Sequence, residues 1–323
     1  MGKLKEQNLD CDTAVDIVVP TRGRGARINI LVESVLESDY PNFTLWIVDQ
    51  SEDDLTEEAI RPYIESDSRI RYERTPTCGS NIARNAGACL GDAPVIIFTD
   101  DDCRVTTGWL GAMVTEFEKD SSWAVFGRIL PDERIQNNTS DDYLARMLPM
   151  AIKEADSRQV YEGNHFNLGF GHGANMGFRR ECFELIHGFD NLLGIGGVFR
   201  SWPERDIGYR ILVKGGRIVY TPDALLFHSH WRDWPAVRNT FRNYAFGTGA
   251  TVAKYVRCGH WGAIYLLAEW MFSQGVRQIL SGVIKWRSWM KVEVGLFQLI
   301  FPWIGIAKSL RFPINREDLL YQP

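Results

Sequence analysis

Three short stretches of this chain hold residue types that do chemistry together. The first is the run Asp100-Asp101-Asp102, directly after the apolar stretch at 95–99. Adjacent carboxylates repel one another, and a fold tolerates three of them most easily when a cation neutralises the charge. Oxygen donors at i and i+2 suit Mg²⁺ or Mn²⁺, which combine carboxylates with phosphate oxygens and water. A solvated acidic turn capping the next helix is the plainer use of the same residues. The second stretch is WPERDIGYR at 202–210, where Glu204 and Asp206 open a helical pattern. Carboxylates are routine there because of the helix macrodipole, but either could serve as a general base whose pKa is set by its pocket. The third is FHSHW at 227–231, with His228 ending an apolar run and His230 two residues on. A lone histidine is more often structural. Joined to two aspartates, it completes a mixed oxygen and nitrogen donor set that Mn²⁺ accepts.

Glycine-rich stretches say less. GFGHGA at 169–174 does not sit at the first strand–helix turn, where a dinucleotide loop would have to be. RGRGAR at 22–27 follows the first apolar run, and arginines with free amides at a helix start can touch a phosphate. No Walker A pattern occurs.

The elements that must position these groups alternate. Residues 15–20, 43–49, 70–73 and 95–100 read as buried strands, rich in β-branched residues. Residues 28–38, 55–66 and 80–90 read as helices, with Ser80 as N-cap and Gly91 as a stop. Alternation predicts a parallel sheet with right-handed crossovers and its chemistry beyond the carboxyl ends of the strands. Residues 21–24, 49–51 and 100–102 should then converge on one rim. Beyond 120 the sequence predicts a strand over AVFGRIL, a polar mobile loop at 131–142, short helices at 179–187 and 204–214, and strand, turn, strand over RIVYTPDALLFH at 217–228. After 233 the chain turns helical, and beyond Trp234 five of its eleven tryptophans (Trp261, Trp270, Trp286, Trp289 and Trp303) are set among Lys and Arg.

Composition narrows the function. With 323 residues, 45% hydrophobic and 24% charged, the chain is ordinary globular material. A net charge of −5 argues against nucleic-acid binding, which demands a basic surface. The balance is uneven: residues 254–323 carry nine Lys/Arg against four Asp/Glu, and residues 1–253 carry 27 against 37. Cysteines 11, 78, 89, 103, 182 and 258 show no CxxC spacing, which fits reduced thiols and a cytoplasmic setting. The first residues lack the apolar run of a secretory signal. The longest uncharged run near the end, 294–307, is broken by Pro302, so no transmembrane span is expected.

Taken in order, these motifs resemble family 2 glycosyltransferases, over about residues 15–231. IVVPTRGR resembles the family's opening strand, with Pro20, Thr21 and Arg24 in place. WIVDQSEDD resembles the second strand, ending in Asp49 with Ser51 beyond it, and SNIARNAG the helix start before the acidic motif, with Arg84 and Asn85. FTDDDC is similar to the family's Asp-x-Asp motif, GHGANMGFRRECFELIHGFD to its acceptor-side segment with Asn175, and PERDIGYRILVKGGRIVYTPDALLFH to the segment carrying the base and a histidine ligand. Gly23 stands where the family commonly has Asn, and Pro203-Glu204 replaces the usual Glu-Asp pair.

The resemblance implies an α/β fold of the GT-A nucleotide-sugar-binding type. Its central sheet would be mostly parallel and flanked by helices, with a helical C-terminal extension. Residues 1–232 would form the catalytic domain (15–110 the nucleotide-sugar half, 111–232 the acceptor half) and 233–323 the extension. It implies a divalent cation (Mn²⁺ or Mg²⁺) on Asp100, Asp102 and His228. Pro20, Thr21, Arg24, Asp49, Ser51, Arg84, Asn85, Asp100 and Asp101 would form the donor site, with Asp49 reading a uracil. Glu204 would be the base with Asp206 beside it, and Asn175, Trp202 and Trp231 would face the acceptor. The reaction implied is inverting transfer from a nucleoside-diphosphate sugar, UDP-sugar favoured, to a hydroxyl of a saccharide or lipid-linked acceptor, as in cell-envelope polysaccharide synthesis. A sugar-nucleotide nucleotidylyltransferase and an inactive nucleotide-sugar-binding module are the rival readings. The first leaves Glu204 and His228 without roles, and the second leaves Asp102 intact without reason. For the Trp- and Lys/Arg-rich tail three readings stand side by side: a packed helical appendage, a peripheral membrane-interface contact at the inner face of the membrane, and a homo-oligomer contact.

Overall fold

In a computed structural model, residues 12–119, 121–132, 144, 146–229 and 232–322 are described. The β-branched runs become four parallel strands: β1 (Val15–Thr21), β2 (Phe43–Asp49), β3 (Ile70–Arg74) and β4 (Val95–Thr99), in spatial order β3-β2-β1-β4. Helices α1 (Asn29–Leu36), α2 (Leu55–Ser66) and α3 (Ser80–Ala88) connect them. Because side chains alternate along a strand, Val18, Val48, Ile96 and Phe98 enter one core, while Ile17, Val19, Ile47 and Ile97 enter the core on the opposite face. Both faces are therefore covered, as a parallel sheet requires.

The parallel arrangement stops at β4. β5 (Cys103–Val105), α4 (Trp109–Lys119), β6 (Ala124–Pro131), β7 (Gln159–Tyr161), β8 (Asn175–Arg179) and β9 (Ile218–His228) extend the sheet in the order β3-β2-β1-β4-β8-β6-β9-β5, with β7 also on β9. β8 lies antiparallel to both β4 and β6, and β9 is parallel to β6 but antiparallel to β5 and β7. The second half of the sheet is thus mixed.

Several local expectations are corrected. Residues 218–228 form one strand, not two separated by a turn. Thr221 pairs with Gly127 and Leu225 with Arg128, so Pro222 to Ala224 bulge out of the ladder. A Cβ on Gly127 would overlap both the Ala224 carbonyl and the Asn175 side chain, so glycine is needed there. The N-cap of α3 is Gly79 at φ +128°, a conformation other residues avoid, and Ser80 already lies inside the helix. Gly91 serves not as a helix stop but as room for the Asp16 carboxylate, which a Cβ would overlap. The loop expected at 131–142 lies, after Asp132, outside the described residues.

Helices dominate from Trp234 onward. Trp234–Arg257 starts at Asp233, whose carboxylate accepts a hydrogen bond from the Ala236 amide (3.0 Å). Trp289–Ser309 continues through Pro302, against the expected break, and is long and apolar enough by length and composition to cross a membrane, although nearly half of its window is buried. The two helices meet at glycines. A Cβ on Gly249 would overlap the Pro302 carbonyl, and one on Gly305 the Phe246 carbonyl. Pro302 therefore sits at the closest approach of the pair, where the neighbouring backbone takes up the space around it.

A buried ionic cluster ties the Trp234–Arg257 helix to the helix Pro203–Val213 and to Asp190. Lys254 Nζ lies 2.6 Å from Asp206 and 2.7 Å from Asp190, and Arg210 Nε lies 3.0 Å from Asp206. Tyr255 donates to Asp206 (2.9 Å), and the Tyr321 amide donates to Asp190 (2.9 Å). Lys254 and Asp206 are fully buried. Burial alone would raise the Asp206 pKa, but the Lys254 and Arg210 charges outweigh it and hold the carboxylate below its ordinary value. Removing one partner of such a set leaves buried charge uncompensated. Lys254→Met should therefore cost about 3–5 kcal/mol of unfolding free energy, read by urea denaturation at neutral pH.

Candidate active site

The three expected segments do converge on one rim of the sheet. Thr21 and Asp49 are register partners at the ends of β1 and β2. Beyond them the Gln50 amide donates to the Thr21 carbonyl (2.9 Å) and the Gly23 amide to Ser51 Oγ (2.7 Å). Pro20 and Thr21 close β1, and Thr21 is buried.

The aspartate run lies against this rim with its carboxylates splayed. Asp100 Oδ1 accepts from Arg84 Nη2 (2.7 Å), Asp101 Oδ1 from Arg24 Nε (2.8 Å), and Asp102 Oδ2 from Arg24 Nη2 (3.0 Å). The other Asp102 oxygen is 3.3 Å from His228 Nε2. Burial pushes the Asp101 carboxyl up to about 7, the Asp102 charge adds to this, and Arg24 opposes it. Burial would lower the His228 pKa, but the Asp102 carboxylate overrides it and raises the imidazole above its ordinary value.

Ligand atoms of Asp102, Cys103 and His228 lie within 4.8 Å of one another. A carboxylate and an imidazole at that spacing fit a divalent cation, as expected of Asp102 and His228. Asp100, the other ligand expected from the sequence, is not in that group, and its Oδ1 accepts from Arg84. Cys103 is an addition that the sequence reading missed. β5 and β9 pair it with His228, and burial keeps its thiol protonated far above the ordinary range. It fills space beside the donor atoms.

Glu204 stands at the N-terminal end of the helix Pro203–Val213, on the wall of a cavity of about 880 Å³ that Asp100, Arg84 and Trp202 also line. Burial raises its pKa, partly offset by Arg205 and Arg84. Gly173 separates the Glu204 carboxylate from Arg84; a Cβ there would sit 3.6 Å from the one and 3.7 Å from the other. Tyr244 and Trp270 reach the same cavity from the C-terminal helices. Sequence reasoning missed them because no local motif surrounds either.

Four expected site residues are placed elsewhere. Asp206 is locked in the Lys254 cluster, away from the cavity. The Asn85 amide is spent on Phe189 and Asn191, pinning the segment before the Pro203–Val213 helix. Asn175 is fully buried; its Oδ1 accepts from Trp109 Nε1 (2.8 Å), and its Nδ2 donates to the Arg128 and Ala224 carbonyls (2.9 Å each). It clamps the β9 bulge instead of facing an acceptor. Asp49 has no exposed surface: Ser51 donates to Oδ1, and the Tyr72 hydroxyl donates to Oδ2 (3.0 Å). Burial and that carboxylate push the Tyr72 phenol up. Trp202 does line the cavity, in a left-handed conformation (φ +67°) that costs a bulky residue energy. Trp231 and His230 lie outside the described residues.

Residues 16–186 match the family model for Glycosyl transferase family 2. No curated protein matches the sequence of this chain. Among solved structures, the mannosyltransferase PcManGT from Pyrobaculum calidifontis, in complex with GDP-Man and Mn²⁺, is similar at TM-score 0.61 and 16% identity, over 93% of this chain and 87% of its own. TarS of S. aureus is similar at TM-score 0.53 and 14% identity, over 73% of this chain and 39% of its own. GalNAc-T7 with UDP, GalNAc and Mn²⁺ follows at TM-score 0.50 and 17% identity, over 72% and 48%. At these identities the likeness is one of fold, the GT-A fold of glycosyltransferases.

The buried amide of Asn175 separates a scaffolding role from an acceptor role. Asn175→Ala leaves one N–H and two carbonyls unpaired and should cost on the order of 3 kcal/mol in chemical denaturation. Loss of activity with unchanged stability would contradict that placement.

Proposed function

This chain belongs to glycosyl transferase family 2 and is a glycosyltransferase; from that premise we propose that it transfers a sugar from a nucleoside-diphosphate sugar to a hydroxyl of a saccharide or lipid-linked acceptor, with inversion at the anomeric carbon. One observation carries the reading: Glu204 and the Arg84-held Asp100 face the same cavity. A base and a donor-binding acid on the walls of one space is what a single in-line displacement needs. The acceptor oxygen attacks C1, the bond from C1 to the phosphate oxygen breaks, and the acceptor proton passes to Glu204. Inversion follows from one displacement, with no enzyme nucleophile.

Asp102 and His228 are the residues that would hold a divalent cation. When bound, such an ion supplies positive charge for the leaving diphosphate. Mn²⁺ in the complexes of PcManGT and GalNAc-T7 supports this assignment. Arg84 orients Asp100 toward the cavity, and Arg24 holds Asp101 and Asp102 together. Ser51 donates to one oxygen of Asp49 and Tyr72 to the other, which keeps a second acceptor position, so a uracil N–H on Asp49 stays part of the proposal. The similar structures contain GDP-Man in one case and UDP in another.

We treat residues 1–232 as the catalytic domain and 233–323 as an extension that completes the acceptor wall and rests on a membrane surface. Its Trp289–Ser309 helix is bonded to the protein along one side. Lys291 donates to the Met147 carbonyl, Gln298 accepts from Trp270 Nε1, and Glu293 pairs with Arg238. Other side chains of this helix are exposed, among them Trp289 (73%), Ile300 (53%) and Trp303 (56%), and Ile284, Lys285 and Arg287 are exposed in the segment just before it. Internal polar anchors with an apolar, basic outer side suit a helix lying in the interface instead of spanning it.

Glu204→Gln should lower kcat by ~10²–10⁴-fold with the fold retained, measured as sugar transfer or as slow donor hydrolysis. The carboxylate acts only when deprotonated. Since burial raises its pKa, the rate should climb with pH through a limb above the usual glutamate range, and that limb should vanish in Glu204→Gln. The chain should co-sediment with vesicles containing anionic lipid more than with neutral ones, and a Trp289→Ser, Trp303→Ser double variant should lose that binding; equal recovery with and without anionic lipid would overturn the membrane assignment.

A further inference from the structure

Arg205 follows the proposed base, and of the other arginines lining the cavity Arg146 is exposed while two are bonded within the protein. Arg84 is paired with Asp100, and Arg200 donates to the Asn243 side chain (3.2 Å). Arg205, half-buried, makes no hydrogen bond or ion pair among the described residues. Its guanidinium instead lies over two indoles, 5.3 Å from the Trp202 ring centre and 5.0 Å from that of Trp270, which meet edge to face at 5.5 Å. Glu204 and Glu269 favour its charge from a distance, while burial works against it.

The position of this cation matters as much as its freedom. Arg205, Trp202 and Trp270 form a shared wall between the cavity of about 880 Å³ that contains Glu204 and a second one of about 440 Å³. Trp202 is 4% exposed, and its indole N–H also lacks a hydrogen-bond partner among the described residues. A guanidinium resting against aromatic rings keeps its fork of N–H donors partly preorganised and loses less entropy on binding. Half-buried, lining both cavities and without a partner among the described residues, it can be completed by an oxyanion from outside the chain. Asp100 and Arg84 line the first cavity alone, whereas Arg205 lines both, next to Trp270 of the C-terminal helices.

We propose that Arg205, with Trp202 and Trp270, forms an acceptor subsite for an oxyanion, phosphate or carboxylate, so that the acceptor is an anionic saccharide or a lipid phosphate and not a neutral sugar. The inference rests on the glycosyltransfer reading for the word acceptor alone; the anion site is testable without it.

The experiment is calorimetric titration of the full chain saturated with Mn²⁺ and UDP or GDP, whichever stabilises it in a thermal-shift screen. The probes are glucose 1-phosphate, methyl glucuronoside, farnesyl phosphate in detergent, and neutral methyl glucoside. At least one anionic probe should bind about tenfold or more tighter than methyl glucoside, as expected for a charge-assisted contact, and Arg205→Gln should remove that difference while Arg205→Lys keeps most of it. Tighter binding of farnesyl phosphate assigns a lipid source, and tighter binding of a soluble probe assigns a free saccharide. Equal binding of charged and neutral probes would overturn the subsite, as would a preference that survives in Arg205→Gln or disappears once nucleotide is present. If Arg205→Gln does not fold by circular dichroism, the wild-type ratio and Arg205→Lys decide. If neither nucleotide stabilises the chain, the donor reading fails instead, and the same titrations on the nucleotide-free chain still decide the anion site.

Discussion

Three carboxylates on consecutive residues cannot share one small space without compensation, and the site is organised around how that repulsion is relieved. They are compensated from three different parts of the fold. Arg84 from α3 takes Asp100, Arg24 from the turn after β1 takes Asp101 and one oxygen of Asp102, and His228 at the end of β9 stands at the other. The partners come from elements separated by more than a hundred residues, so the aspartates can adopt this arrangement only when both halves of the sheet are assembled. The same geometry leaves Asp100 facing the cavity and Asp102 beside an imidazole, two environments from one acidic run.

A second balance decides which carboxylate near the base is available for chemistry. Glu204 and Asp206 are two residues apart on a helix, so they point roughly 200° apart at 3.6 residues per turn. Asp206 turns inward to Lys254 and Arg210 and is neutralised there. Glu204 turns to the cavity, where burial is only partly compensated and its affinity for a proton rises. Lys254 belongs to the Trp234–Arg257 helix, so the contact that immobilises Asp206 also holds the C-terminal helices against the catalytic core. Tyr244 and Trp270 reach the cavity wall from those helices. The acceptor side is thereby built from both parts of the chain.

Much of this was readable from residue order. Apolar runs of strand length between helical patterns specify β1, β2 and β4, because buried strands must be apolar on both faces, whereas β3, read as a buried strand, is an edge strand with only Ile70 buried. The convergence of the segments after β1, β2 and β4 follows from that topology. Family resemblance then supplied the glycosyltransferase class and pointed to Asp102, Glu204, His228 and Trp202. Less legible were the mixed half of the sheet and the bulge in β9, since Pro222 and Asp223 look like a turn and only the Asn175 clamp shows why the strand continues. Pro302 misled in the same way, because a proline reads as a helix end unless a partner helix packs closely against it.

What the sequence by itself determined is therefore local and periodic: which segments are strands, which are helices, and which carboxylates and imidazoles stand at their ends. Tertiary structure alone decided how each polar group is spent. Asn175, Asn85, Asp49 and Asp206 carry the right chemistry for a site, yet each is bonded within the fold, the two asparagines wholly by partners far along the chain, while Arg205, which the motif around it does not single out, has no such partner among the described residues. The physical reason is that a polar side chain's availability depends on whether its hydrogen bonds and charge are already satisfied. That is a property of its three-dimensional neighbours, and no spacing along the chain encodes it.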